Sequence, residues 1–193
     1  MSAHCSMNKG MPMKNTVSMK ENGKILSFTY EELLAHHGGA MPGGVALAFR
    51  MLQWVFDEVL RTIPEKGCCE FYSGLGENGR GIIDTVTKVL GVVENESLRL
   101  DKTYSMDKTG PLAPGGGRYY FECGYKDRLV KLAVKDGAIP EEFFQCSYEM
   151  HRKRSTGEII TEEETAYLQQ LRIDLSKAIL AAESRDLFVL LEA

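Results

Sequence analysis

The sequence lacks the features that mark several large classes of protein. No stretch approaches the roughly 18 uninterrupted apolar residues of a membrane-spanning helix, so we expect no membrane span. The first two dozen residues contain no apolar segment of about 7–15 residues, which a secretion signal needs. Basic residues form no strong block and the net charge is −4, which argues against nucleic acid as the main partner.

Cysteine is present but in the wrong pattern for a zinc finger or a disulfide scaffold. The number is odd and no CxxC occurs. We therefore expect free thiols and a cytoplasmic location. The five residues are Cys5, Cys68, Cys69, Cys123 and Cys146.

The length of 193 residues and ordinary globular composition predict one domain with its own core. Residues 1–24 are polar and rich in methionine, and we interpret them as a flexible N-terminal arm before a core domain of residues 25–193. Thioethers together with His4 and Cys5 could bind Cu(I), but a frayed arm is the favoured interpretation.

Several segments have the apolar period and the end signals of helices. Capping boxes at Thr29 and Thr161 predict a short helix ending near Gly38 and a long helix reaching about Ser184. An apolar stripe over 45–63 predicts an amphipathic helix. Further helices are predicted at 82–90, at 126–136 and after Pro140.

Strands are predicted at 68–73, 97–106, 118–125 and in the terminal run DLFVLL. Helices and strands do not alternate strictly. We therefore expect an α+β fold, with a small, mainly antiparallel sheet packed against helices in a single domain.

Three further features suggest chemistry. Gly74, Gly76 and Gly79 form G-x-G-x-x-G between a strand and a helix, but a tight chain turn is favoured over nucleotide binding. His36 and His37 precede a glycine-rich turn, where an imidazole could act as general base or metal ligand. The run MHRKRS at 150–155 is interpreted as a solvated helix end rather than an anion site.

Two segments, HGGAMPGGVALAFRM at 37–51 and ENGRGIIDTVTKVLG at 77–91, together resemble the FmdE family, whose members are associated with formylmethanofuran dehydrogenase. HGGAMPGGVALAFRM (37–51) is similar to its opening motif, H-G-H-x-C-P-G followed by a helix with an arginine. ENGRGIIDTVTKVLG (77–91) is similar to its second motif, E-x-x-x-C-x-x-D-A-x-Q-x-x-x-G, and the resemblance extends over about 28–190. The matching positions are His37, Gly38, Pro42, Gly43, Arg50, Glu77, Asp84 and Gly91.

The thiolate positions of that family are lost in this chain. Its two cysteines correspond to Met41 and Gly81, and its second histidine corresponds to Gly39. A lone His37 beside a thioether is a poor zinc site, so a divalent metal such as zinc is open but not favoured, and the cofactor stays unassigned.

The resemblance implies a cytoplasmic homodimer that binds a small molecule or serves as an accessory component of a one-carbon, molybdenum or tungsten redox system. His37 and Asp84 would line a pocket between the 36–44 turn and the 76–84 loop. Arg50 would be an anion partner, with Gly38, Pro42, Gly43 and Glu77 shaping the ligand site. Redox-enzyme subunits are the macromolecular partners that this interpretation implies.

Two alternatives remain open. A stand-alone enzyme could use His37 as general base, Asp84 to orient it and Cys69 as nucleophile in acyl or thiol chemistry. A degenerate site could instead be retained only for structural assembly.

Overall fold

The computed structural model describes residues 15–94 and 96–193. It begins with a two-stranded antiparallel hairpin, β1 (Val17–Glu21) and β2 (Lys24–Phe28), joined by an Asn-Gly turn in which both residues have positive φ. Val17 and Met19 are buried in the core. The prediction of a flexible arm is therefore wrong for 15–24, because alternate residues of β1 bury apolar side chains; its first 14 residues lie outside the described part.

The first two helices follow the predicted signals at their beginnings. Helix α1 (Tyr30–His37) has the Thr29 capping box and ends at Gly38, which adopts a left-handed conformation. Helix α2 (Pro42–Trp54) is buried almost throughout and continues as a π-helical segment, Val55–Leu60. The predicted helix over 45–63 is thus correct in place, but it begins earlier, changes its winding and ends before Ile63.

Five strands form the main sheet in the order β4-β3-β5-β6-β7. Strand β3 (Cys69–Ser73) pairs in parallel with β4 (Leu98–Leu100), and the other neighbours are antiparallel. The remaining strands are β5 (Tyr120–Tyr125), β6 (Arg128–Val134) and β7 (Phe188–Glu192). Of the strand predicted over 97–106, only the first part is extended.

The helix predicted over 126–136 is wrong, because β6 occupies this segment. A two-residue turn at Lys126 and Asp127 lets β6 fold back onto β5, and Lys126 has a φ of 57°. Val130, Leu132 and Val134 then alternate into the core. The apolar spacing of this segment fits a helix and a strand, and pairing on both sides decides in favour of the strand.

The remaining helices are α3 (Arg80–Leu90), α4 (Glu141–Thr156), α5 (Glu162–Ala181) and the short α6 (Ser184–Leu187). A single-turn 3-10 helix, Gly76–Asn78, precedes α3. Helix α5 has the predicted Thr161 capping box. None of the helices in the described ranges has the length and apolar character needed to cross a membrane.

Helix α2 lies at the centre of the core, between α1, α3 and α5 and the inner face of the sheet. Its first turn crosses α3 at two glycines. A Cβ built on Gly81 would lie 2.8 Å from the Met41 carbonyl oxygen and 3.0 Å from the Val45 nitrogen. The close crossing therefore brings the beginnings of α2 and α3 together. The arrangement confirms the α+β prediction.

Candidate functional site

His37, from the segment 37–51, and Asp84, from the segment 77–91, are in contact in the structure. His37 ends α1 and its Nδ1 donates a hydrogen bond to Asp84 Oδ2 on α3 over 2.7 Å. The His37 side chain is 7% exposed and that of Asp84 is 39% exposed. Gly38 makes this placement feasible, because its left-handed conformation ends α1 directly after the histidine.

The other ring nitrogen of His37 has no partner within the described residues. Nε2 is buried and makes no hydrogen bond there. With the carboxylate fixing the proton on Nδ1, Nε2 presents a lone pair that could accept a proton or bind a metal. However, residues 15–94 and 96–193 contain no group of three or more histidine, cysteine, aspartate or glutamate side chains arranged to hold a metal ion.

A cavity of about 310 Å³ opens beside the crossing of α2 and α3. Its wall comes from residues in the stretches 41–47, 75–82, 113–119, 139–154 and 168–179. The cavity thus reaches both segments between which a pocket was predicted. Of the predicted site residues, Gly43 and Glu77 line it.

His37 and Asp84 do not line this cavity, so their predicted position in its wall is wrong. Arg50, the predicted anion partner, and Gly38 do not line it either. Asp84 points from α3 toward the end of α1 to reach His37. Pro42 occupies the first position of α2, where it begins the helix.

Arg50 has a structural position in the second half of α2. It is 6% exposed, and its guanidinium donates to Gln53 Oε1 at 3.1 Å and to the Ala182 carbonyl oxygen after α5. Burial lowers its pKa, opposed by nearby Glu183 and Glu58. These contacts tie α2 to the end of α5 and leave Arg50 away from the cavity.

Cys69 is also separate from the histidine and the cavity. It lies in β3 with 2% exposure, and no hydrogen bond joins its thiol to His37 in the described structure. Burial raises its pKa to about 12, and Cys68 adds to this shift. A thiol protonated at neutral pH is not an activated nucleophile. The hypothesis that Cys69 works beside His37 therefore has no geometric support.

Basic side chains collect around the cavity. Arg80 begins α3, His151 and Arg154 lie on α4, and Arg172 lies on α5. Glu77 is the only carboxylate in the described wall. The run MHRKRS was predicted to be a solvated helix end, but two of its residues, His151 and Arg154, line the cavity.

The charges of these groups act on one another. The pKa of Arg172 is lowered first by burial and then by Arg154. The pKa of His151 is lowered by burial and by the positive charges of Arg154, Lys102 and Arg172. Arg172 had no signal in the sequence, because only the packing of α5 against α4 and α2 brings it to this wall.

Comparisons with known proteins place the chain in no family. It matches no protein-family model, and no curated protein is similar to it at a significant level.

Proposed function

We propose that this protein binds a small organic molecule in the cavity beside the α2–α3 crossing. The observation that carries the proposal is the cavity itself, whose volume of about 310 Å³ is in the range of small-molecule sites. Apolar side chains such as Leu47 and Phe143 form much of its wall, with a few polar groups among them. This composition is typical of ligand pockets.

We also propose a cellular role of the FmdE type, as an accessory component of a one-carbon, molybdenum or tungsten redox system. The support is the resemblance of the two motifs, whose His37 and Asp84 are 2.7 Å apart although 47 positions separate them. Under this proposal the protein is a cytoplasmic homodimer that carries no redox centre of its own. Stoichiometric zinc or iron bound at His37 in the purified protein would contradict it.

The ligand proposal is tested with a neutral fluorescent probe, N-phenyl-1-naphthylamine. We expect saturable binding to the full chain at one site, and loss of at least tenfold in affinity when Ser147→Trp fills the cavity from α4. Ser155→Trp is the matched control, since Ser155 is exposed on the same helix and does not line the cavity. Equal binding by the two variants, or none by the unmodified protein, would contradict the proposal.

A second candidate function is an enzyme that uses His37 for proton transfer. The favouring observation is the buried Nε2 without a hydrogen-bond partner in the described residues, on a ring oriented by Asp84. For acyl chemistry, 4-nitrophenyl acetate hydrolysis should fall at least tenfold in His37→Gln. Equal rates would remove this candidate and favour a site kept only for assembly.

The cysteine part of that candidate has its own test. Iodoacetamide should label exposed Cys68 and leave buried Cys69 unmodified in the folded protein, because a thiol with a pKa of about 12 is almost wholly protonated at neutral pH. Mass spectrometry of the digested protein distinguishes the two adjacent residues when each is replaced by serine in turn. Preferential labelling of Cys69 would restore it as a nucleophile.

A further inference from the structure

The basic residues of the cavity differ from their neighbours on the same helix. Arg152 and Lys153 on α4 form ion pairs with glutamates outside the cavity, Arg152 with Glu149 at 2.7 Å and Lys153 with Glu164. Arg154, the next residue, lines the cavity and has no carboxylate within 4.0 Å in the described structure. Of these three consecutive cations, Arg152 and Lys153 are paired, and Arg154, which is exposed at the cavity, has no counter-charge among the described residues.

Arg80 and Arg172 also line the cavity without a carboxylate partner among the described residues. Neither forms an ion pair with a carboxylate of the described residues, and Arg172 has only a 3.4 Å contact from Nη1 to Gln169 Oε1. Arg172 is half-buried and lies within electrostatic range of Arg154. Two like charges that approach each other without an anion raise the free energy of the empty site, and a bound anion would lower it.

The backbone adds positive potential at the same place. Helices α2 and α3 both begin at the cavity wall, at Met41 and Gly79, and neither of these residues makes a side-chain capping hydrogen bond. The partial positive charge of a helix N-terminus extends over its first turn. It reinforces the arginines here and does not by itself make the site.

The apolar part of the wall favours a ligand that is more than a simple inorganic ion. Leu47, Ile82, Phe143, Leu168 and Leu175 present an apolar surface to the same cavity. Covering such a surface with an apolar group is favourable, because it removes apolar area from water. A ligand that uses both parts of the wall has a charged head and an apolar body.

We propose that the ligand is an amphipathic organic anion, a carboxylate or phosphate on an apolar body, whose head group is held by Arg154 and Arg172. The inference rests on the proposed ligand-binding function and specifies its chemistry. Arginine suits this role because its planar fork can donate two parallel hydrogen bonds to a carboxylate or phosphate. Arg80, which also lines the cavity, adds attraction for the anion.

A matched pair of probes tests the proposal on the full chain. 8-Anilinonaphthalene-1-sulfonate carries the anionic head, and N-phenyl-1-naphthylamine is the same molecule without it. At low salt we expect the anion to bind at least tenfold more tightly. Arg154→Gln and Arg172→Gln should each weaken the anion about tenfold while changing the neutral probe less than twofold.

Two controls keep the test sharp. Arg152→Gln removes the same charge from the same helix outside the cavity, so it should leave both affinities within twofold. Arg154→Lys keeps the charge but not the paired donors, so it should retain more of the anion preference than Arg154→Gln and less than the unmodified protein. Circular dichroism verifies that each variant is folded. Displacement of the sulfonate by 1-naphthoate or by 1-naphthyl phosphate identifies the preferred head group; displacement by neither overturns the proposal.

The failures are distinguishable. If the neutral probe binds in the cavity but the anion has no advantage, or the arginine variants behave like Arg152→Gln, the anion inference is wrong and the ligand site stands. If neither probe binds the unmodified protein, the proposed function fails and the inference fails with it.

Discussion

Two polar regions of this molecule, one on the sheet and one at the cavity, differ in whether their charged side chains have partners. On the sheet face away from α2, Glu122 is 8% exposed and accepts hydrogen bonds from the hydroxyls of Tyr120 at 2.6 Å and Tyr104 at 3.2 Å. Arg99 lies over the rings of Tyr72 and Tyr104, 4.6 and 4.5 Å from their centroids. We call these five residues the tyrosine cluster.

The charged side chains of the cavity are neither packed nor paired in this way. Its arginines have room beside them and no carboxylate partner within the described residues, whereas the tyrosine cluster is packed and hydrogen-bonded. Buried polar groups that are satisfied internally stabilise the fold. Charges held near one another without a partner cost stability and are typical of functional sites. Hydrogen-bond partners and free space, rather than charge alone, therefore distinguish a structural cluster from a ligand site.

The largest effect is expected from breaking the tyrosine cluster. Glu122→Ala should lower the free energy of unfolding by about 2–3 kcal/mol, because the buried Tyr120 hydroxyl loses its acceptor and the more exposed Tyr104 hydroxyl loses its partner. Chemical denaturation measures this change. Glu70→Ala, on an exposed position of the neighbouring strand, should change it by less than about 0.5 kcal/mol. Anion affinity should be unchanged in both variants, and a loss in Glu122→Ala alone would contradict the separation of the two regions.

The next largest effect is expected at the close crossing of α2 and α3 beside the cavity. Gly81→Ala should destabilise the fold by about 1–3 kcal/mol and weaken probe binding, since the new methyl group would meet the Met41 carbonyl oxygen at 2.8 Å and push α2 and α3 apart. Gly44→Ala meets its nearest atom at 3.3 Å and should be milder. An equal or reversed order in thermal unfolding would show that the crossing is not close-packed.

A smaller effect is expected from pH. The folded-state pKa of His151 is lowered, so the unfolded chain binds its proton more tightly. Without ligand, stability should therefore fall as the pH drops below about 6.5, relative to His151→Gln. Anion affinity should change the other way and rise a few-fold between pH 7.5 and 5.5, because protonated His151 adds positive charge at the cavity. A fall in affinity that depends on His151 would contradict this placement.

The smallest expected effect is a change in the free energy of unfolding that has opposite signs in the two regions. Arg172→Met should raise the free energy of unfolding of the ligand-free protein by about 0.5 kcal/mol, because it removes repulsion from Arg154 and keeps the apolar stem. The same replacement at Arg99 should lower it, since Arg99 contacts two aromatic rings. Losses of equal size at both positions would show that Arg172 is structural.

Local signals in the sequence predicted much of this fold. The capping boxes at Thr29 and Thr161 and the buried stripe of α2 have direct physical causes in neighbouring residues. The segment of β6 was assigned wrongly, because its apolar spacing suits two structures and the deciding hydrogen bonds come from β5 and β7. The π-helical segment after Trp54 has no signal in the sequence that we recognise.

The site could be predicted only in part. The pairing of His37 with Asp84 was accessible through the motif resemblance, although geometry then placed both outside the cavity wall. Arg80 and Arg172 are far apart in the chain, and their common wall exists only after α3 and α5 pack beside α2. The sequence contains the charges of the cavity, but only the described fold shows that these arginines have no carboxylate partner within 15–94 and 96–193.

The central claim is that Arg154 and Arg172, which have no carboxylate partner among the described residues, form one ligand site with the apolar wall. A crystal structure of the protein with 8-anilinonaphthalene-1-sulfonate tests it most directly. We expect the sulfonate within hydrogen-bond distance of Arg154 or Arg172 and the aromatic rings against Phe143 and Leu175. A probe bound outside the cavity, or inside it with the sulfonate turned away from both arginines, would contradict the account.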